Sequence, residues 1–328
     1  HHATLAGWVS PAGTQVHKQA PPVKLAAHGR LVTAAELTAL RPLQSRIKGL
    51  LPAKGLATIY GQSGSGKTFI GLDMACAIAA GFPLWFGAKA IQAPVAYVAL
   101  EGVAGLSQRV KAWQTHHKAA APPSIRFLLG DFTLVDPMHA DQLAAEILQA
   151  LGTGAVVWVD TLNQSAPGAD ENSSVDMGVV IANAKRLSNA IDGLVVLVHH
   201  SGKDQGKGMR GHSSMHAAMD AVIEVVHTAN GRAWRVTKSK DGESGATRAF
   251  ELVSYVVGQD EDGDEIRSCA VRQALTSTGQ TRKVPAGKNQ KAALNVLGAL
   301  QGDHPAGFLM SDALRLVAAT LTGPDGRK

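Results

Sequence analysis

Residues 61–68 have the sequence Gly61-Gln62-Ser63-Gly64-Ser65-Gly66-Lys67-Thr68, which fits the pattern G-x-x-x-x-G-K-[ST] at every fixed position. The segment follows the apolar run 56–60 and opens a helical pattern that stops at Gly81. In that setting the glycines let backbone N–H groups turn inward around phosphate oxygens, and the N-terminus of the helix adds partial positive charge. Residues 61–68 therefore predict a loop that binds the phosphates of a nucleotide.

Two side chains of this loop have the chemistry that a bound nucleotide requires. Lys67 is placed to reach the β and γ phosphates, and Thr68 has a hydroxyl on the first helical turn that can ligate Mg²⁺. We therefore expect ATP and Mg²⁺ as cofactors. The alternative is a glycine-rich turn that binds nothing. It is disfavoured because the whole motif is present between a strand and a helix.

Apolar runs and helical patterns alternate from Gly55 onward. This alternation is typical of βαβ units, so we expect an α/β core with a mainly parallel central sheet. Nearly continuous apolar runs predict buried strands at 56–60, 95–100, 125–129, 156–159 and 194–198. After Asp220 the chain has only strand-like runs, at 222–226, 234–237, 249–257 and 267–272. These runs predict an antiparallel extension of the sheet.

Acidic residues end two of the predicted strands. Parallel strands bind ligands at their carboxyl ends, where Asp160 follows the run 156–159 and Glu101 follows the run 95–100. We expect Asp160 to hold Mg²⁺ together with Thr68. No acid follows Asp160 directly, so we expect Glu101 to be the general base that positions and polarises water. The structural alternatives are an Asp that starts a turn and a Glu that caps the next helix.

Two histidines, His199 and His200, end a third strand at the same predicted edge. A histidine at this place can sense the γ-phosphate through a hydrogen bond that changes when ATP becomes ADP. We assign this role to His199 and interpret His200 as an ordinary histidine at the edge of the core. A zinc site is the competing interpretation, but neither a cysteine nor a third clustered ligand accompanies the pair.

The segments GQSGSGKT, YVALEG, VWVDTL and LVHH resemble, in order and spacing, those of RepA-type hexameric replicative helicases. These are AAA-type ATPases of the RecA/DnaB-like P-loop superfamily, in its phage or mobile-element branch, and the resemblance covers residues 47–269. It implies a RecA-like core, a six-membered ring with ATP bound between subunits, and single-stranded DNA in the central channel. Residue by residue, it implies a Walker A lysine and threonine, a Walker B aspartate, a catalytic glutamate and a γ-phosphate sensor at Lys67, Thr68, Asp160, Glu101 and His199, respectively.

Two further segments resemble family features that bring a cation to the ATP site of a neighbouring subunit. Residues 209–214 are similar to the R-G-S-S segment, and Lys238 and Lys240 are similar to the K-x-K element. The chain departs from the family after R-G-S-S, where residues 221–223 are apolar and offer no arginine finger. The resemblance therefore implies that Lys238, Lys240 or Arg210 supplies the cation. A solvated charged turn is the alternative for the two lysines.

Two long polar loops are expected to leave the sheet on the nucleotide side, at 161–174 and 201–212. The second loop carries Lys203, Lys207 and Arg210 among glycines, which suits contact with a phosphate backbone without reading of bases. We therefore expect these three residues to bind single-stranded DNA electrostatically and with little sequence preference. An ordinary solvated loop is the alternative.

Composition indicates the broad class of protein and its compartment. The 328 residues are 45% apolar and 18% charged, and the formal net charge of +6 is compatible with a polyanionic partner. No apolar run approaches the roughly 18 residues of a membrane span, so we expect no membrane association. Only two cysteines occur, too few for a disulfide framework, and this favours the cytoplasm.

Four regions are expected along the chain. Residues 1–46 predict an N-terminal arm or linker, and residues 47–272 the ATPase core. A basic linker is expected at 273–290. Two amphipathic stretches within 291–328 predict a small helical tail, which could be the opening part of a winged-helix module.

These features point first to an ATP-hydrolysing oligomeric motor, a replicative DNA helicase that translocates on single-stranded DNA. Its expected partners are single-stranded DNA, further copies of the chain in a homo-hexamer, and a primase or replication initiator. A RecA-like regulatory, recombination or loader ATPase without unwinding activity is the alternative, and the sequence separates the two poorly. A small-molecule P-loop kinase is disfavoured because no arginine-rich lid follows the core.

Overall fold

The structure, a computed structural model, describes residues 31–40, 44–201, 213–229, 231–240, 242, 244–245, 247–274, 295–296 and 315–318. Contacts divide the chain into two compact units, residues 1–42 and residues 43–328. The described part of the first unit contains one short helix, α1 (Ala34–Thr38). A capping box begins this helix, since the Thr33 side chain accepts from Glu36 N and the Glu36 carboxylate accepts from Thr33 N.

The second unit is built of strands and helices that alternate through most of its length. Its strands are β1 (Ser45–Ile47), β2 (Leu51–Pro52), β3 (Gly55–Gly61), β4 (Val95–Ala99), β5 (Ile125–Leu129), β6 (Val156–Asp160), β7 (Leu194–His200), β8 (Ala221–Thr228), β9 (Gly231–Ser239), β10 (Thr247–Gln259) and β11 (Glu265–Gln273). Its helices are α2 (Lys67–Ala80), α3 (Val103–His117), α4 (Pro137–Ala150), α5 (Ser174–Ala190) and α6 (Ser213–Ala218).

Nine strands form one sheet in the order β11-β10-β9-β8-β3-β7-β6-β4-β5, and β1 and β2 pair separately. The strands from β8 to β5 are parallel to one another, whereas β9, β10 and β11 are added antiparallel. The predicted run 222–226 lies in β8, which is the junction because it pairs in parallel with β3 and antiparallel with β9. The structure therefore confirms the predicted α/β fold, a RecA-like core with an antiparallel C-terminal extension.

Alternate residues of the central strands pack into two hydrophobic cores, one on each face of the sheet. On β6, Trp158 packs on the face that α2 covers, whereas Val157 and Val159 pack on the face that α4 and α5 cover. The two-residue period of a strand causes this alternation. It also decides which side chains at the strand ends face α2 and the loop that precedes it.

Helix α2 lies close against the sheet. It begins at Lys67 and ends before Gly81, whose φ of +67° favours glycine, as the sequence predicted. In the helix, a Cβ added at Gly71 would lie 3.0 Å from Nε1 of Trp158 on β6. A larger residue there would push the two elements apart. The glycine thus keeps the N-terminus of α2 near the carboxyl ends of the strands.

Outside the sheet, the structure describes little of the C-terminal tail. Residues 295–296 and 315–318 are helical, and the rest of the predicted basic linker and helical tail lies outside the described residues. The boundaries of the four predicted regions stay predictions. No helix in the described parts of the chain is long and apolar enough to cross a membrane.

Candidate active site

The carboxyl ends of four parallel strands meet at one edge of the sheet. Backbone hydrogen bonds continue at or just beyond the strand ends, from Leu100 N to Asp160 O (2.8 Å), from Leu162 N to Val198 O (2.7 Å) and from Ser201 N to Gly61 O (3.0 Å). These bonds hold the ends of β3, β4, β6 and β7 beside one another. The residues that follow these strands therefore start from one edge.

A cavity of about 290 Å³ opens at this edge. Its volume is near the lower end of the range for small-molecule sites, roughly 300–1,000 Å³. Its walls come from the phosphate-binding loop, α2, α3, β10 and the ends of β4 and β7. The lining residues are Ser63, Gly64, Gly66, Lys67, Thr68, Phe69, Glu101, Gly102, Arg109, Thr161, His200 and Leu252. The structure thus brings together Lys67, Thr68 and Glu101.

Lys67 points into the phosphate-binding loop. Its Nζ donates to Gln62 O at 2.8 Å and lies 3.5 Å from Nδ1 of His200. Burial lowers the pKa of Lys67, and the carboxylates of Asp160 and Glu101 oppose this shift. An ammonium group held at the start of a helix, between a carbonyl and two acids, is placed to bind the negative charge of a phosphate.

Asp160 is buried at the end of β6, with 3% of its surface exposed. Its Oδ2 accepts a hydrogen bond from the Tyr97 hydroxyl at 2.7 Å, whereas Oδ1 has no hydrogen-bond partner in the described part of the chain. Burial raises the pKa of Asp160, and the hydroxyls of Tyr97 and Thr68 oppose this shift. Tyr97 therefore fixes the carboxyl group while one oxygen remains available for another ligand.

Thr68 and Asp160 fit a Mg²⁺ ion. Mg²⁺ prefers oxygen ligands and is commonly held by one or two carboxylates, substrate phosphates and water. The Thr68 hydroxyl and the unpartnered Oδ1 of Asp160 are two such oxygens close to the loop. Within the described ranges, no group of three or more His, Cys, Asp or Glu residues is arranged to hold a metal. An ion at Thr68 and Asp160 would thus take its other ligands from a nucleotide and water.

Glu101 and Arg109 form another wall of the cavity. Glu101 is exposed, and Gly102 follows it at the N-cap of α3 with a φ of +65°. Arg109, two turns along α3, reaches back so that its Cζ lies 5.4 Å from the ring centroid of Phe69. Arg109 adds a second cation to the cavity. Sequence reasoning missed this residue, because only its packing on Phe69 distinguishes it from a surface arginine of a helix.

The two histidines at the end of β7 face opposite sides of the sheet. The structure places His200, and not His199, in the cavity beside Lys67. His199 is 1% exposed, on the other face. Asp160 pairs in register with Val198, so the residue two places further on shares the face of Asp160. The assignment of the sensor position to His199 is therefore corrected to His200.

The surroundings of His200 favour a neutral imidazole. Burial lowers its pKa, and the nearby charge of Lys67 lowers it further. Near neutral pH, the tautomer with its proton on Nε2 can accept a hydrogen bond at Nδ1 from the Lys67 ammonium. His200 thus has the contact that a sensor of the phosphate requires.

Replacing His200 by alanine is expected to reduce kcat for ATP hydrolysis by about 10- to 100-fold, since a hydrogen bond to a charged group contributes roughly 1.5–3 kcal/mol. The matched variant is His199→Ala. Its buried side chain faces away from the cavity, so we expect a lower melting temperature but a kcat near that of the wild type well below that temperature. Steady-state phosphate release and thermal unfolding measure both effects. The opposite pattern would return the sensor to His199.

Strand β10 of the antiparallel extension closes the cavity next to the loop. Leu252 lines the cavity, and a Cβ added at Gly66 would lie 3.3 Å from Cε2 of the buried Phe250. Gly66 also has a φ of +104°, which favours glycine. The sequence predicted this strand but not its contact with the loop, because the two segments lie far apart in the chain.

The two lysines that the sequence predicted to act on a neighbour lie at the other end of the sheet, where β9 ends beside the start of β8. Lys238 Nζ donates to the carbonyls of His216 (2.8 Å) and Ala217 (2.9 Å) at the end of α6. Lys240 Nζ donates to Asp220 Oδ1 at 2.6 Å. The seven residues of β3 separate this end from the cavity by about 20 Å. Neither lysine thus lies near the cavity of its own subunit.

The three cations predicted to bind DNA, Lys203, Lys207 and Arg210, lie outside the described residues. The described chain shows only where their segment starts and ends. It starts beyond Ser201, whose backbone N–H donates to Gly61 O at 3.0 Å beside the phosphate-binding loop, and it leads into α6. Contact of the three residues with DNA stays a prediction.

Comparison with known proteins identifies the family. The AAA domain family matches residues 19–206, more than half of the chain, whereas no curated protein matches it. Among solved structures, one ATPase domain has a TM-score of 0.46 and 15% identity, over 60% of this chain and 82% of that chain. The RadB recombinase has a TM-score of 0.44 and 14% identity, over 62% of this chain and 90% of that chain. The family match agrees with the phosphate-binding loop at the carboxyl edge of the sheet, and the chain belongs to the AAA domain family of P-loop ATPases.

Proposed function

We propose that this chain is the motor of a ring-forming replicative DNA helicase, which couples ATP hydrolysis to movement along single-stranded DNA. The observation that carries the proposal is the convergence of Lys67, Glu101 and Asp160 at one edge of the sheet, around a cavity of nucleotide-binding character. The resemblance of four sequence segments to RepA-type helicases supports a helicase over other ATPases of the superfamily.

Each residue of the cavity has a defined part in hydrolysis under this proposal. Glu101 positions the attacking water and accepts its proton. Lys67 and Arg109 stabilise the negative charge that spreads over the oxygens of the transferred phosphoryl group. Mg²⁺, held by Thr68 and Asp160, would neutralise charge on the β and γ phosphates when it is bound. Catalysis then depends on positioning and electrostatics, as is usual for phosphoryl transfer.

His200 connects the cavity to the segment proposed to bind DNA. A γ-phosphate competes with Nδ1 of His200 for the Lys67 ammonium, so the contact between the two side chains differs before and after hydrolysis. The next residue, Ser201, begins the segment that carries Lys203, Lys207 and Arg210. A change at His200 therefore has only one residue to cross before it reaches the proposed DNA-binding segment.

A homo-hexameric ring is part of this proposal. Lys238 and Lys240 lie about 20 Å from the cavity of their own subunit, at the opposite end of β3. A neighbouring subunit placed against that end is therefore the ATP site that these cations can serve. They would first have to leave the carbonyls of α6 and the carboxylate of Asp220. Arg210 is the remaining candidate. A primase or a replication initiator is a further proposed partner of the ring.

A RecA-like regulatory, recombination or loader ATPase is the second candidate, and one observation favours it. Both Lys238 and Lys240 already have partners in their own subunit. Such contacts suit an ATPase in which the two lysines stabilise the fold and serve no second ATP site. This candidate binds ATP in the same cavity but does not separate DNA strands.

Strand displacement on a forked duplex separates the two candidates. We expect the wild-type protein to separate the strands with ATP, and single-stranded DNA to stimulate its ATPase activity. Three phosphate contacts per subunit give an affinity for single-stranded DNA that falls by about 20-fold between 50 and 200 mM salt. Glu101→Gln is the control, since it should bind the fork without separating it. DNA-stimulated hydrolysis without any displacement would favour the second candidate, and hydrolysis that ignores DNA would contradict both roles on DNA.

A further inference from the structure

A buried carboxylate lies on α2, outside the cavity. Asp73 is 5% exposed, and its neighbours Leu72 and Met74 belong to the hydrophobic core. Three N–H groups donate to it: Trp85 Nε1 to Oδ2 (2.8 Å), Trp113 Nε1 to Oδ1 (3.0 Å) and His117 Nε2 to Oδ1 (3.2 Å). Both carboxyl oxygens therefore have donors, which is the condition under which a core tolerates a buried acid.

Two of the three donors belong to α3, the helix that carries Arg109. Trp113 and His117 follow Arg109 by one and two helical turns, and α3 begins at Val103, directly after the Glu101-Gly102 pair. Asp73 lies on α2, the helix that begins with Lys67. The carboxylate thus joins the helix of the phosphate-binding lysine to the helix that carries Arg109 and follows Glu101.

The contacts of this carboxylate extend to the antiparallel extension. The ring of His117 lies 4.8 Å from that of His116, whose Nδ1 lies 2.8 Å from the Tyr255 hydroxyl on β10. Trp85, the third donor, stacks on Trp234 of β9 with ring centroids 5.3 Å apart. Elements that form the cavity walls, α2, α3 and β10, therefore meet around one acid.

We propose that Asp73 is a positioning residue for ATP hydrolysis, whose carboxylate sets the place of α3, and through it of Arg109 and Glu101, against the phosphate-binding loop. The proposal rests on the function proposed above only in the parts given to Glu101 and Arg109. Asp73 itself touches neither nucleotide nor water in the reaction.

The size of the effect follows from the geometry of phosphoryl transfer. Displacing reacting groups by about 1 Å can cost on the order of 100-fold in rate. The substitution Asp73→Asn keeps the volume of the side chain but replaces one acceptor oxygen by an N–H₂ donor, which then faces a donor of Trp85 or Trp113. We expect α3 to shift and kcat to fall by about tenfold or more, while the affinity for nucleotide changes by less than about threefold.

The test is steady-state hydrolysis and binding of a fluorescent ADP analogue by Asp73→Asn, Arg109→Ala and the double variant. If Asp73 acts by placing Arg109, the two effects are not additive, and Asp73→Asn costs less than about twofold in the Arg109→Ala background. A merely structural role would lower the melting temperature without such coupling. Asp141→Asn is the matched control, because Asp141 is exposed and pairs with Arg186 on the protein surface. It should keep the kcat of the wild type.

The substitution Trp113→Phe provides an independent variant if Asp73→Asn does not fold. It removes one N–H donor and keeps the aromatic packing, so we expect a loss of a few-fold in kcat that also disappears in the Arg109→Ala background. A wild-type kcat in either folded variant, or additive effects with Arg109→Ala, would overturn the proposal. Failure of the helicase proposal has a different signature, since a wild-type protein that hydrolyses ATP without separating strands leaves these results unchanged.

Discussion

The substitution Lys67→Ala is expected to abolish ATP hydrolysis, with kcat lowered by at least about 10²- to 10³-fold. Lys67 is the only cation in residues 61–68, and its Nζ lies in the loop 2.8 Å from Gln62 O. Alanine leaves the developing charge on the phosphoryl group without this ammonium, and Arg109 on α3 is the remaining lysine or arginine that lines the cavity. Phosphate release measures the loss, and a fluorescent ATP analogue measures what remains of binding.

Lys54→Ala is the matched control for this prediction. Lys54 lies just before β3, at the end of the sheet opposite to the cavity, and pairs with Asp192 in an exposed ion pair. Such pairs contribute little to stability, about 0–1 kcal/mol, so the variant should fold and hydrolyse ATP as the wild type does. Thermal unfolding establishes that Lys67→Ala is folded. A kcat close to the wild-type value in a folded Lys67→Ala protein would contradict the assignment of the loop.

The phosphate-binding loop and the strands around it could be predicted from the sequence because their signals are local. Residues 61–68 carry a complete motif, and each central strand is an apolar run. Parallel strands place their carboxyl ends at one edge, so the meeting of Glu101 and Asp160 near Lys67 followed from their places after two such runs. No knowledge of long-range contacts was needed for these steps.

The choice between His199 and His200 shows where local signals end. Both residues end the same strand, and a strand turns successive side chains to opposite faces. Which face carries the loop depends on the register of β7 with β6, in which Val198 pairs with Asp160. With that register the face of His200 is decided. The sequence offers the alternation but not the register.

Residues that act through packing between distant segments escaped sequence reasoning altogether. Arg109 enters the cavity because it packs on Phe69, 40 residues earlier in the chain. Asp73 would be taken for an exposed acid of a helix, but donors from the segment after α2 and from α3 surround it. A buried polar residue inside an apolar helical pattern is the only signal that could have pointed to it, since such a residue needs partners from elsewhere.

The substitution Glu101→Gln is expected to separate binding of ATP from its hydrolysis. The amide keeps the size of the side chain but cannot accept a proton from water, so kcat should fall by about 10²- to 10⁴-fold, the usual contribution of a general base. Lys67, Thr68 and the glycines of the loop are unchanged, and the affinity for ATP should stay near that of the wild type. Equilibrium binding of an ATP analogue and single-turnover phosphate release measure the two quantities separately.

Glu146→Gln is the control for this substitution, since Glu146 is exposed on α4 and does not line the cavity. Loss of turnover together with loss of binding would show that Glu101 supports the shape of the site rather than the chemistry. Normal turnover by Glu101→Gln would remove Glu101 as the base. Among the described residues that line the cavity, Glu101 is the only carboxylate, so the base would then come from a residue outside that lining or from a neighbouring subunit. The trapped, ATP-bound state expected of Glu101→Gln is also the state in which His200 and the segment after it should differ most from the ADP-bound protein.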